Sequence, residues 1–135
     1  MPFIEWDEKY SVNVKEIDDQ HKGLFLVIND LNDAVSAGKA PDVIETTVSK
    51  LIAYAKVHFA TEEKYLTKFR YHEYAEHKKE HDNFNIKVLA MNERLKSGVY
   101  ILSSEISRFI KDWLTNHILV TDKKYGPFLN DNGLI

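Results

Sequence analysis

Five of the six histidines fall in step with the apolar stripes of amphipathic helices. Apolar positions recur at three and four along His21, Leu24, Phe25, Ile28, Leu31 and Val35. A second stripe reads Ile44, Val48, Leu51, Ala55, His58, Glu62 and Leu66, and a third Tyr74, His77, His81, Phe84, Val88, Met91 and Leu95. The fourth carries Leu102, Ile106, Phe109, Ile110, Trp113, Leu114 and His117. A lone core histidine is ordinarily a structural residue with a hydrogen-bond partner. Five buried imidazoles at once pose five desolvation problems, and shared coordination of metal removes them together.

The same stripes set the predicted fold. Asp18 suits an N-cap, Gly38 a C′ position and Pro41 a helical first turn. A break falls near Phe69–Tyr71, Ser97 and Gly98 end the third helix, and Gly126 with Pro127 stop the fourth. Short connections favour antiparallel neighbours. The expectation is an all-α fold: one domain over 1–135, an up-down-up-down antiparallel four-helix bundle over 18–125, and a tail over 126–135. Residues 1–17 show no helical period and read as an extended arm anchored by Phe3, Trp6 and Ile17.

The donor set follows from spacing. His58 and Glu62 stand four apart, as do His77 and His81, so each pair shares a helix face, ~40° apart. His21 and His117 complete the imidazoles. His72 lies five before His77 and reads as a turn or surface residue. Asp122 is five after His117, ~140° away on an α-helix. Spacing alone makes it a surface residue, unless a π-type bulge or a helix end turns it inward. Glu63, Glu73, Glu76 and Glu80 read as a solvated face.

The chain has no cysteine, which leaves imidazole and carboxylate as ligands. Seven donors exceed one tetrahedral zinc. If two six-coordinate ions share two carboxylates and one solvent oxygen, one coordination position stays open for a small ligand. A net charge of -3 argues against nucleic acid as a partner. No apolar run suits membrane insertion and no signal peptide is evident, so a cytoplasmic protein is expected.

The stretches W…YSV…IDDQHKGL, HFATEE, HKKEHDNF and WLTNHILVTD, in the order H…HxxxE…HxxxH…HxxxxD, resemble the hemerythrin family, in particular its single-domain bacteriohemerythrins. The resemblance implies two iron ions with an oxo or hydroxo bridge. His77, His81 and His117 would hold one ion, and His21 and His58 the other. Glu62 and Asp122 would bridge them. Dioxygen would bind reversibly at the two-histidine ion, in an apolar pocket of Leu24, Phe59, Trp113, Leu114 and Ile118. The implied role is oxygen storage, delivery or sensing by a monomer, and not enzymatic. The competing readings are a di-iron redox enzyme reducing peroxide or nitric oxide, and a sensing module acting through a partner. The chain departs from the family pattern at His72, where proline is common, and at Asn13, where glycine is common.

Overall fold

The computed structural model describes residues 4–135, with residues 40–42 as backbone alone. Phe3, expected as an anchor, lies outside the described residues. Helix α1 spans Lys15–Ser36, α2 Ala40–Lys68 and α3 Tyr74–Lys96. The last rod is α4 (Ser103–Trp113), a π-helical segment (Leu114–Asp122) and α5 (Lys123–Asp131). The connections are short, α1 packs on α2 and α4, and α2 packs on α3. The result is an all-α four-helix bundle. Among the described residues no helix is long and apolar enough to cross a membrane.

Most stripe positions are buried; Tyr74, Leu95 and Phe109 are half-buried, and Val35 and Leu102 are exposed at helix ends. His72 is exposed. Gly38 and Gly98 take the left-handed conformation one residue past the caps of α1 and α3. Arg70 does the same after α2, at φ 59°.

Both ends of the chain differ from expectation. Helix α1 starts at Lys15, three residues before Asp18. Asp18 caps nothing there; its carboxylate accepts from Ser11 Oγ (2.6 Å) and Val12 N (2.9 Å) and ties the arm down. Ile17 is buried inside the helix rather than in the arm. The arm itself carries a 3-10 turn at Glu8–Tyr10. Trp6 and Tyr10 pack on Phe25, and Val12 and Val14 are buried. Asn13 sits at φ 60°, a conformation asparagine tolerates better than most residues, which accounts for its standing where glycine is common.

At the other end, Gly126 and Pro127 do not stop the rod; α5 runs through them to Asp131. Burial of Tyr125 and Leu129 outweighs the local helix-breaking preference. Gly126 is needed for a different reason: a Cβ there would stand 2.8 Å from the Val12 carbonyl oxygen. Lys123 Nζ and Asn130 Nδ2 donate to the Ser11 and Asn13 carbonyls, so the arm lies along this helix.

Two glycines in helices should therefore respond oppositely. Gly126→Ala is expected to destabilise by about 1–3 kcal/mol, because backbone must move. Gly23→Ala in α1 meets nothing within 4 Å and should stabilise by about 1 kcal/mol. Urea melts of the two variants check both signs.

The core is divided. A larger cluster includes Leu24, Phe59, Phe84, Trp113, Leu114 and Ile118. A smaller one gathers Val12, Val14, Ile17, Leu66, Tyr71, Tyr125 and Leu129. Along each helix, the histidines and carboxylates come between the two.

Candidate metal centre

His21, His58, Glu62, His77, His81, His117 and Asp122 are all buried. Helical phase alone brings the first five and His117 to one level. Asp122 arrives through the π-helical segment, in which the backbone bond runs from i+5 to i, so residues five apart lie one turn apart. His117 Nε2 then stands 2.9 Å from Asp122 Oδ1.

The five imidazoles all point Nε2 at the two carboxylates, and each carboxylate divides its oxygens the same way. Glu62 Oε1 faces His58 and His21, the latter at 3.5 Å. Its Oε2 faces His77 at 2.6 Å and His81 at 3.1 Å. Asp122 Oδ2 faces His21 at 3.0 Å, while Oδ1 faces His77 at 3.3 Å and His117. One set of oxygens thus belongs with two imidazoles and the other with three. Two groups of donors, Glu62 with His77, His81 and His117, and His21 with His58, Glu62 and Asp122, each lie within 4.8 Å and could hold a metal ion.

Outside this layer, partners fix the rings. His58 Nδ1 donates to Gln20 Oε1 at 2.6 Å. The Gln20 amide is oriented in turn by donating to Thr61 Oγ1, whose hydroxyl donates to the Val57 carbonyl. His81 Nδ1 donates to Glu63 (3.0 Å) and His117 Nδ1 to Glu80 (3.2 Å). With Nδ1 carrying the proton, Nε2 is left with a lone pair facing inward, as a metal ligand requires. Glu63 and Glu80 are therefore not simply a solvated face. The clue was their position, each next in sequence to a predicted ligand. Tyr125, three after Asp122, also went unnoticed. Its hydroxyl is buried with no hydrogen-bond partner among the described residues, and its ring packs on His77.

The donor set fits a cation. Lone pairs aimed at carboxylate oxygens repel unless a positive charge intervenes. His21 Nε2, His58 Nε2, His117 Nε2, Glu62 Oε1 and both Asp122 oxygens have no hydrogen-bond partner among the described residues. Protonation shows the same demand. Burial pushes the His21 imidazole down, but the Asp122 and Glu62 carboxylates facing it lift it to about 9. Burial also opposes His117, yet the Asp122 charge and its hydrogen bonds lift it to about 10. Burial and the Glu62 charge push Asp122 up, and His117 and His21 draw it down to about 2. Glu62 is likewise held well below the carboxylate range, against burial, by the charge of His58 and by the His21 and His77 imidazoles that face it. His58 itself is pushed down by burial.

A bound cation must displace the protons on His21 and His117. Uptake at pH 7 is expected to release protons, and affinity to rise with pH; a titration in weak buffer with an indicator reads both. In the metal-free protein the two raised imidazoles stabilise the fold fully below their ordinary value of 6.5. That contribution is lost as pH rises through about 9 and about 10. Stability should fall across this window, and less so after metal is added.

The profile described as "Hemerythrin HHE cation binding domain" matches residues 12–129. This chain belongs to the hemerythrin family. It is 34% identical to a bacteriohemerythrin of Methylococcus capsulatus, over 96% of this chain and 99% of the relative. A myohemerythrin of Theromyzon tessulatum is 35% identical, over 90% and 89%. A crystal structure of a wild-type hemerythrin superposes with a TM-score of 0.85 at 34% identity, covering 94% of this chain and 98% of that one.

The five expected pocket residues, Leu24, Phe59, Trp113, Leu114 and Ile118, are all buried in the larger cluster. Their arrangement is uneven. Phe59 stacks on His81 and Trp113 on His117, both at 3.8 Å between ring centroids, so these two aromatics cover the three-histidine side. The ring stacked on His58 is Tyr54, at 5.1 Å.

Proposed function

We propose that this hemerythrin binds dioxygen reversibly at a pair of non-haem irons held by the seven donors. His77, His81 and His117 would hold one ion, His21 and His58 the other, with Glu62 and Asp122 shared. The observation that carries the reading is the matched division of carboxylate oxygens between two and three imidazoles. The smaller imidazole set would leave its ion with the open position. When bound, the iron pair supplies the electrons that hold dioxygen and recovers them on release.

The protein's own part is positioning and exclusion. Gln20, Glu63 and Glu80 fix three of the five imidazoles, so His58, His81 and His117 are oriented before the ion arrives. Leu24, Leu114 and Ile118 would keep water from the open position. A dry pocket disfavours escape of a charged oxygen species and slows autoxidation. The names of the relatives, bacteriohemerythrin and myohemerythrin, support a binding protein rather than an enzyme.

An optical spectrum of the reduced, iron-loaded protein tests this. A visible charge-transfer band should appear with dioxygen and vanish on deoxygenation. Irreversible passage to the oxidised form would move the assignment to redox catalysis. No band, with two irons present, would mean that no position is open.

A further inference from the structure

The pocket beside the two-histidine group is not uniformly apolar. Tyr54 lies on α2 one turn before His58 and stacks on it with rings 22° from parallel. Phe59 and Phe84 meet it edge-on at 6.1 and 6.2 Å. Its hydroxyl is buried with no hydrogen-bond partner among the described residues, and so is the indole nitrogen of Trp113. The two side chains lie near enough to influence each other, although neither group has a formed hydrogen bond. Their chemistry is asymmetric. An indole N–H can only donate, whereas a phenol oxygen accepts and still has its own hydrogen to give. If Trp113 donates to Tyr54, the phenol hydrogen is left over. Nothing described accepts it, although phenylalanine would fill the same space without burying a hydroxyl.

We propose that the Tyr54 O–H is the hydrogen-bond donor to a ligand at the two-histidine group, with the Trp113 N–H bonded behind it to set the phenol's direction. The ligand class is a small molecule whose terminal atom accepts a hydrogen bond, with the azide anion as the probe. The placement supports this, since Tyr54 covers His58 and also feels the charges of Glu62 and Asp122. Tyr54 is then a specificity residue: it favours ligands with an accepting end over apolar gases of similar size. The inference rests on the proposed iron pair.

Tyr54→Phe tests it in the iron-loaded protein. Azide affinity, read from its optical band, should fall about tenfold, the usual scale for a hydrogen bond to a charged acceptor. In a Trp6→Phe background Trp113 is the one remaining indole. There the resonance Raman band sensitive to indole hydrogen bonding should shift toward the free N–H position in the Tyr54→Phe protein. A purely structural Tyr54 would lower the melting temperature and leave azide affinity alone. Unchanged azide affinity, or a wild-type protein that takes up no azide, overturns the donor assignment. An unmoved indole band removes Trp113 from the pair. Reversible dioxygen binding is read on the same wild-type sample. Its failure while azide still distinguishes the variant would sink the functional reading and leave the donor standing.

Discussion

Glu62→Gln should leave the chain unable to hold a pair of ions. Glu62 belongs to both groups, with Oε1 on the two-histidine side and Oε2 on the three-histidine side. The amide keeps the shape but loses the charge, and its NH2 end presents hydrogens where one group needs a lone pair. Iron content should fall to one ion per chain or none. Because a preformed site is rare in the unfolded state, lost binding is lost stability. The iron-dependent rise in stability should shrink by roughly 3 kcal/mol or more. Glu63→Gln is the comparison. Its side chain reaches the site only by accepting from His81 Nδ1, so affinity should fall by about 10–100-fold while stoichiometry holds. Elemental analysis beside thermal melts reads both variants. A Glu62→Gln protein that still carries two ions would show that the carboxylate is not shared.

Leu114→Ala should be costly in two separable ways. Leu114 is 2% exposed and stands three before His117, at the start of the π-helical segment. Truncation should destabilise by about 2–4 kcal/mol, the usual range for a buried leucine. It should also admit water beside the site and speed autoxidation of the oxygenated protein. Leu31→Ala separates the effects. Leu31 is fully buried in the same cluster but ten residues along α1 from His21, ~15 Å away. It should show a similar stability loss with normal autoxidation. Equal autoxidation in the two variants would remove Leu114 as the guard.

The helices and their inward faces were legible because one period governs them, and the histidines keep that period. Where a second constraint competes, sequence reading fails in a particular direction. Asp18 looks like a cap because aspartate usually is one; here the arm needs its carboxylate more than the helix does. Gly126 looks like a stop, yet it is the one residue that lets Val12 approach α5. Asp122 lies off-face in any α-helix, and only the local π-helical winding reaches it. The outer hydrogen bonds were hidden because Glu63 and Glu80 are partly exposed, and a glutamate on a charged face has no distinguishing pattern. Tyr54 carries no ligating group and passes for ordinary core.

The divided core has a further consequence. Ile17 and Leu24 lie on either side of His21, Leu66 and Phe59 on either side of Glu62, and Tyr125 and Ile118 on either side of Asp122. On α3 His77 and His81 lie between Tyr74, which packs on the smaller cluster, and Phe84 of the larger one, so a polar septum crosses every rod of the bundle between two oily compartments. Each compartment is too weakly joined to the other through side-chain packing to count as one core. The two are joined by the continuous helices and by the imidazoles of the septum, which pack on Phe59 and Trp113 on one side and on Tyr125 on the other. A substitution that loosens the septum should therefore be felt both as weaker metal binding and as a less cooperative bundle.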